Sequence, residues 1–262
     1  MKRLYGMFMV IAVLAFGSLA EAKVVTKEVP YEHNKVKLVG YLAYDDAAKG
    51  KRPGVLVVHE WWGLNEYAKK RARQLAGIGY VAFAVDMYGE GKVTTHPQQA
   101  GEWTKMITGN VSQWQERANA GLDVIKKDPH VDPKRIAAIG YCFGGATVQQ
   151  MAYSGADLRG VVSFHGSPLP VPEGQAKQVK AKILILHGAS DPLVKDAQIQ
   201  NYVAAMEKCG LDWQMIFYGG AKHSFTNPDA DKAGMDALKY SPSADKRSWE
   251  HMKLFFNEVL SK

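Results

Sequence analysis

A single cysteine stands where a strand is expected to turn sharply into a helix. Cys142 lies at the centre of the glycine-rich segment Gly140–Gly145, directly after the apolar run Arg135–Tyr141. The pattern G-x-C-x-G is a nucleophile elbow with cysteine in place of serine. Glycines flank the central residue because side chains there would collide, and the turn holds that residue in a strained conformation that projects its side chain. The pattern predicts a nucleophilic Cys142, and a buried structural cysteine is the alternative.

An acid and a base follow two later apolar runs. Asp191 comes after Ile183–His187, and His223 comes after Gln214–Tyr218. The order Cys142, Asp191, His223 is the chain order of α/β-hydrolases. A thiol is mostly protonated at neutral pH, so it needs a base, and an aspartate can orient that base and stabilise its charged form. Taken singly, an aspartate before proline is a common turn and a lone histidine is usually structural. Their order favours a Cys-His-Asp triad.

The segment His59–Asn65 supplies a fourth part of this predicted site, after the first expected parallel strand. An oxyanion hole needs two N–H groups, and the backbone amides of Trp61 and Phe143 are the candidates. The dipeptide His-Glu also begins a zinc-protease motif, but no second histidine follows at the required spacing. Glu60 is unusual beside a thiol, and an N-cap or surface residue is its alternative interpretation.

Alternating strands and helices must position these residues. Val24–Tyr31 and Val36–Tyr44 alternate apolar and polar residues and predict an antiparallel hairpin at the edge of the sheet. Apolar runs that suit strands covered on both faces follow at Gly54–His59, Tyr80–Val85, Arg135–Tyr141, Val161–His165, Ile183–His187 and Gln214–Tyr218. Amphipathic helical patterns separate most of them. The chain therefore predicts one α/β domain with a mostly parallel eight-stranded sheet and helices on both faces.

The first 22 residues have the features of a cleaved signal peptide. Lys2 and Arg3 precede an uncharged stretch, Leu4–Ala20, and a small-x-small triplet ends at Ala22. We therefore expect residues 23–262 to form the mature domain, exported to the periplasm or secreted. An uncleaved membrane anchor is the alternative, and no stable membrane span is expected after cleavage.

Composition excludes several classes of protein. Hydrophobic residues make up 47% and charged residues 23% of the chain, which is ordinary globular usage. Two cysteines cannot build a disulfide framework, and no metal site is predicted. The net charge of +7 is scattered, and its densest cluster, Lys69–Arg73, fits a solvated helix face, so nucleic acid is not expected as a partner.

Taken together, Gly140–Gly145, His59–Gly63 and the Asp191/His223 pair resemble the dienelactone hydrolase family over nearly the whole expected mature chain. The resemblance implies an α/β-hydrolase fold and a cofactor-free, monomeric hydrolase that opens small-molecule lactones or esters through an acyl-enzyme. It also implies that Glu60 contacts the resting thiol and takes part in its activation.

The substrate pocket departs from the family pattern. Two arginines hold the substrate carboxylate in dienelactone hydrolases, within D-x-Y-x-R and H-x-F-x-R. Glu90 and Asn227 occupy these positions here. We therefore expect neutral esters or lactones to be preferred, unless Lys92 or Lys222 replaces the missing cations. The expected pocket residues are Trp62, Tyr88, Glu90, Tyr141, Phe225 and Asn227. A weakly active binding protein and a thioester or peptide hydrolase are the alternative functions.

Other polar residues receive structural interpretations. His59, His165 and His187 end expected strands and suit hydrogen-bonded histidines near the core. Cys209 suits a small buried residue at a helix end. A disulfide between Cys142 and Cys209 would inactivate the nucleophile, so we expect both thiols to be free.

Overall fold

A single eight-stranded sheet organises the chain. The computed structural model describes residues 23–261, so the predicted signal peptide lies outside the described residues. The strand order is β1-β2-β4-β3-β5-β6-β7-β8. β1 pairs with β2, and β2 with β4, in antiparallel fashion, and every other pair is parallel. The strands are β1 (Val24–His33), β2 (Val36–Asp45), β3 (Arg52–Val58), β4 (Val81–Val85), β5 (Val131–Tyr141), β6 (Gly160–Phe164), β7 (Lys182–Gly188) and β8 (Trp213–Tyr218). The predicted edge hairpin and mostly parallel sheet are confirmed.

Helices connect the strands and begin at polar caps. Asn65, Asn110 and Ser241 each accept a hydrogen bond from a backbone N–H of the first turn of their helix. The helices are α1 (Glu66–Gly77), α2 (Pro97–Thr108), α3 (Val111–Lys126), α4 (Phe143–Tyr153), α5 (Asp196–Cys209) and α6 (Pro242–Val259), with short 3₁₀ turns at Ala176–Gln178 and Ala230–Ala233.

The sheet separates two apolar layers. Side chains of α3, α4 and α5 pack on one face, and those of α1 and α6 pack on the other. Within a central strand such as β4, Phe83 joins the first layer and Ala84 the second, because successive side chains point to opposite faces. Both faces of the sheet are therefore covered by apolar side chains, which explains why the parallel strands are continuous apolar runs in the sequence.

The parallel strands place the predicted site residues at one edge of the sheet. Glu60 follows β3, Cys142 follows β5, Asp191 follows β7 and His223 follows β8. Parallel strands have their carboxyl ends at a common edge, where open α/β sheets bind ligands. Helix α5 then leads the chain from this carboxyl edge back to the amino edge, where β8 begins. Within residues 23–261, no helix has both the length and the apolar character to cross a membrane.

Candidate active site

The turn between β5 and α4 has the geometry of a nucleophile elbow. Cys142 has φ 54° and ψ −114°, a conformation that an L-residue adopts only when its surroundings enforce it. The flanking glycines permit the tight turn because they have no Cβ. A Cβ on Gly140 would lie 2.0 Å from the carbonyl oxygen of Gly144, and a Cβ on Gly144 would lie 2.2 Å from that of Val58. The elbow therefore admits only glycine at these two positions.

The predicted acid and base are hydrogen-bonded to each other. Nδ1 of His223 donates to Oδ2 of Asp191 at 2.7 Å, and both side chains are almost completely buried. Nε2 of His223 has no oxygen or nitrogen partner among residues 23–261. Burial lowers the pKa of His223, but the charge that Cys142 carries as a thiolate, the hydrogen bonds to Asp191 and to that sulfur, and the charge of Asp191 outweigh it and raise the pKa to about 10. The imidazole is thus oriented by the aspartate and electrostatically coupled to the cysteine.

Two backbone N–H groups are available to an oxyanion. No hydrogen bond engages the N–H of Trp61 or of Phe143 in the described part of the chain. The carbonyl oxygen of the Glu60–Trp61 peptide accepts a hydrogen bond from Nδ1 of His59, whose Nε2 accepts the N–H of Met87. Because C=O and N–H point in opposite directions in a trans peptide, this bond also fixes the direction of the Trp61 N–H.

Glu60 differs from what the family resemblance implies. Its Oε1 accepts the hydroxyl of Ser224 at 2.7 Å, and its Oε2 accepts the side-chain amide of Asn227 at 2.6 Å. No hydrogen bond joins Glu60 to the Cys142 thiol among the described residues, and both carboxylate oxygens accept from the loop after His223. Burial raises the pKa of Glu60, and these two hydrogen bonds offset part of the rise.

A cavity of about 250 Å³ opens beside this carboxylate. Trp62, Ser224 and Asn227 line it together with Asn65, Thr94, Thr95, Asp229, Ala230, Lys232, Ala233 and Leu238. The predicted triad does not line it directly, but Ser224 follows His223 in the chain and Trp62 follows Trp61. The one lysine in the lining is paired, since Nζ of Lys232 lies 2.6 Å from Oδ1 of Asp229. The cavity therefore offers no unpaired cation.

Glu90 lies outside this cavity, contrary to its predicted place in the pocket. It has φ 54° in the turn Gly89–Gly91 and pairs with Lys92 at 3.6 Å, with its side chain 65% exposed. The turn directs the carboxylate into solvent and toward a separate cavity lined by Glu28 and Lys69.

Tyr141 and Phe225 do not reach the cavity either. The ring of Tyr141 stacks on Phe164, with their centroids 4.8 Å apart, because the alternation along β5 directs it into the layer beneath α1 and α6. Phe225 is fully buried in the same layer. Both are core residues rather than pocket residues.

Tyr88 supports the loop that contains Trp61 from outside the cavity. Its hydroxyl donates to the carbonyl oxygen of Trp61 at 2.9 Å and also lies 2.9 Å from the hydroxyl of Thr104. Of the six expected pocket residues, only Trp62 and Asn227 line the cavity.

The sequence patterns do not single out Ser224, although it directly follows the predicted base. His165 is the buried, hydrogen-bonded histidine that the sequence predicts, and the structure adds its partner, since its Nδ1 accepts the backbone N–H of Cys142 at 3.1 Å. The position of His165 at the end of β6, beside the elbow strand, was the available signal for this contact. His187 is buried with no partner for its Nδ1 among residues 23–261, so it is not the satisfied histidine expected. Both cysteines are free.

Comparison with known proteins decides the family. The sequence profile described as "Dienelactone hydrolase family" matches residues 38–260. The chain belongs to the dienelactone hydrolase family. It is 30% identical over 238 residues to protein usf of Aquifex pyrophilus, covering 89% of this chain and 98% of that protein. It is 28% identical over 237 residues to a putative carboxymethylenebutenolidase of Aquifex aeolicus, covering 88% of this chain and 98% of the relative.

A solved structure agrees with this placement. A dienelactone hydrolase-like promiscuous phosphotriesterase from metagenomic libraries superposes with a TM-score of 0.88 at 38% identity, covering 91% of this chain and 99% of that one. A putative dienelactone hydrolase from Klebsiella pneumoniae, at 20% identity and a TM-score of 0.77, shares the fold. The chain is thus a dienelactone hydrolase-like enzyme that acts on ester or lactone bonds, with the α/β-hydrolase fold.

Proposed function

We propose that this dienelactone hydrolase-like enzyme cleaves its substrates through a covalent acyl-enzyme on Cys142, with His223 as base and Asp191 as the group that orients it. The observation that carries the proposal is the 2.7 Å bond between His223 and Asp191, next to a cysteine held at φ 54° by the elbow. A strained nucleophile, a buried base and an orienting anion at one sheet edge are the parts that acyl transfer needs.

Acylation starts from the thiolate–imidazolium pair that forms when the proton of Cys142 passes to Nε2 of His223, a state that the raised pKa of His223 favours. The sulfur then attacks the carbonyl carbon, a C–S bond forms, and the former carbonyl oxygen becomes an oxyanion. The N–H groups of Trp61 and Phe143 stabilise that charge, a contribution of about 3–4 kcal/mol for one such donor. The C–O bond to the leaving group then breaks, and the imidazolium returns its proton to the departing alkoxide. In a lactone, this alkoxide stays attached to the acyl group.

Deacylation repeats the sequence with water as the nucleophile. His223 takes a proton from the water as its oxygen attacks the thioester, and the thiolate leaves and recovers the proton. Glu60 acts in this scheme from a distance. Its negative charge, held by Ser224 and Asn227, stabilises the imidazolium form of His223 and keeps the base loop in place.

The cavity beside Glu60 favours uncharged substrates. Apolar walls from Trp62 and Leu238 suit an acyl or alkoxy group, and its single lysine is already paired. A substrate carboxylate entering it would meet Ser224 and Asn227, whose side chains are hydrogen-bonded to the Glu60 carboxylate. We propose neutral esters or lactones as the substrate class.

The test of the nucleophile combines a variant with a trapped intermediate. Wild-type enzyme mixed with an activated aryl ester and quenched in acid should carry one acyl group, located on Cys142 by peptide mass spectrometry. Cys142→Ala should lose both the adduct and hydrolysis, whereas Cys209→Ala should keep both. Full hydrolysis by Cys142→Ala would refute the mechanism.

Phosphotriesters are a second candidate substrate class. The observation in its favour is the 38% identity to the promiscuous phosphotriesterase. The same thiolate would attack phosphorus, expel an aryloxide and leave a thiophosphate ester on Cys142. Turnover of an aryl phosphotriester that disappears in Cys142→Ala would support it, and a rate equal to buffer would exclude it. Family membership does not favour a binding protein or a peptide hydrolase.

Export is a separate part of the proposal and rests on the amino-terminal sequence. We propose that the chain is cleaved after Ala22 and acts as a monomer in the periplasm or outside the cell. Intact-mass analysis of the protein from fractionated cells tests this. A mature chain beginning at Lys23 in the periplasmic or secreted fraction supports cleavage, and a full-length cytoplasmic chain contradicts it.

A further inference from the structure

A buried hydrogen-bonded array connects the nucleophile to the loop that carries the base. The backbone N–H of Cys142 donates to Nδ1 of His165 at 3.1 Å as well as to the carbonyl oxygen of Phe164 at 3.0 Å. Nε2 of the same imidazole lies 2.7 Å from Oγ1 of Thr226, three residues beyond His223. One histidine therefore touches both the elbow and the base loop.

These contacts fix the tautomer of His165. Nδ1 accepts an N–H, so it carries no proton, and the ring must hold its proton on Nε2 and donate it to Thr226. Burial lowers the pKa of His165 well below its ordinary value, and the positive charges of His223 and Arg71 lower it further. Protonation at Nδ1 would turn the acceptor for the Cys142 N–H into a competing donor.

Side chains of α1 hold Thr226 in place. Its hydroxyl lies 2.6 Å from the hydroxyl of Tyr67, and its carbonyl oxygen accepts Nη2 of Arg71 at 2.7 Å. Arg71 pairs with Asp245 of α6 and lies over the rings of Tyr67, Tyr141 and Trp249. Helices α1 and α6 thereby hold Thr226 in a fixed position.

We propose that His165 is a positioning residue that, as a neutral imidazole with its proton on Nε2, sets the distance between the Cys142 elbow and the His223 loop through Thr226. The elbow and the base lie on different strands, β5 and β8, with two strands between them in the sheet. His165 also has φ 42°, so its backbone adopts an unfavourable conformation in order to present the ring. This inference rests on the proposed role of Cys142.

The test removes the link while keeping the imidazole. Thr226→Val replaces the hydroxyl with a methyl group of the same size, and Thr226→Ser restores a hydroxyl. Small displacements of reacting groups cost up to about a hundredfold in rate, so we expect Thr226→Val to lower kcat at least tenfold with little change in KM, and Thr226→Ser to recover most of it. Ile183→Val, at the buried start of β7, is the matched control for a destabilised core and should keep the wild-type kcat.

A second measurement reads the tautomer directly. Long-range ¹H–¹⁵N spectra of wild-type enzyme should show His165 with its proton on Nε2 at neutral pH, which a purely structural residue need not do. A proton on Nδ1, an imidazolium, or a wild-type kcat in Thr226→Val would overturn the proposal. If Cys142→Ala is inactive while Thr226→Val is unaffected, only the role of His165 fails. If Cys142→Ala stays active, the proposed function itself fails.

Discussion

Substrate charge gives the sharpest test of the cavity. The matched substrates are a carboxylated dienelactone and its methyl ester, compared by kcat/KM. Dienelactone hydrolases provide two arginines for the carboxylate, whereas Asn227 provides a neutral amide here and Glu90 faces solvent. A charge-assisted contact contributes about 1.5–3 kcal/mol, so two missing contacts remove about 3–6 kcal/mol, or a hundredfold to ten-thousandfold. Solvent in the open cavity screens part of this, so we expect the free acid to lose roughly a hundredfold in kcat/KM relative to an enzyme with both arginines, and the methyl ester to be the better substrate here.

Lys92 and Lys222 are not available to replace the two missing arginines. Lys92 pairs with Glu90, and Nζ of Lys222 donates to the carbonyl oxygen of Asp236 at 2.8 Å. Lys232 is therefore the remaining cation to test, and Lys232→Ala should leave the preference unchanged. Asn227→Arg should raise kcat/KM for the free acid, with Asn227→Ala as the control for loss of the bond to Glu60. A preference of the wild-type enzyme for the free acid would refute the reasoning.

Three further predictions concern the triad, the elbow and pH. Asp191→Asn should lower kcat by about a thousandfold or more with an unchanged circular dichroism spectrum, because the imidazole loses its orienting anion; a near-wild-type kcat would point to another acid. Gly144→Ala should fail to fold or lose more than about 3 kcal/mol, since its Cβ would meet backbone 2.2 Å away, whereas Gly101→Ala on α2, with nothing within 4 Å, should gain about 0.5–1 kcal/mol in urea unfolding. Burial raises the pKa of Glu60 above its ordinary value of 4.5, so the folded state holds this proton to a higher pH than the unfolded state does. The free energy of unfolding should therefore fall as pH rises from about 4.5 to the raised pKa of the folded protein. Glu60→Gln should remove that decline, and parallel stability curves for the two proteins would contradict it.

The sequence was sufficient for the fold because backbone chemistry determined it. Continuous apolar runs predicted the doubly covered strands, and the glycines around Cys142 predicted the elbow that the backbone angles confirm. Asp191 and His223 were predictable from their positions after β7 and β8, since parallel strands bring such residues to one edge. These inferences needed only chain order and strand direction.

Side-chain direction was the part that sequence could not supply. Glu90 was predicted to line the pocket because it stands at the arginine position of the D-x-Y-x-R motif. The positive φ in its turn directs the carboxylate to solvent instead. Tyr141 precedes Cys142 in the sequence, yet strand alternation directs its ring into the layer beneath α1 and α6. Asn227 lines the cavity as expected, but its side-chain amide also donates a hydrogen bond to Glu60, which lies 167 positions away in the sequence. Such long-range partners depend on loop conformation, which a single sequence does not determine.

The placement of the two cysteines has a consequence for oxidative damage. Cys142 lies at the carboxyl edge of the sheet and is partly exposed, whereas Cys209 ends α5 at the amino edge. Helix α5 starts at the carboxyl edge, and its 14 residues carry the chain about 21 Å away to Cys209. The two cysteines therefore lie at opposite edges of the sheet, whereas a disulfide needs Cα atoms within about 7 Å of each other. A sulfenic acid formed on Cys142 by peroxide therefore has no resolving thiol in its own chain. Recovery of the Cys142 thiol then requires a small external thiol. That thiol must reach Cys142 before further oxidation to the sulfinic acid inactivates it permanently.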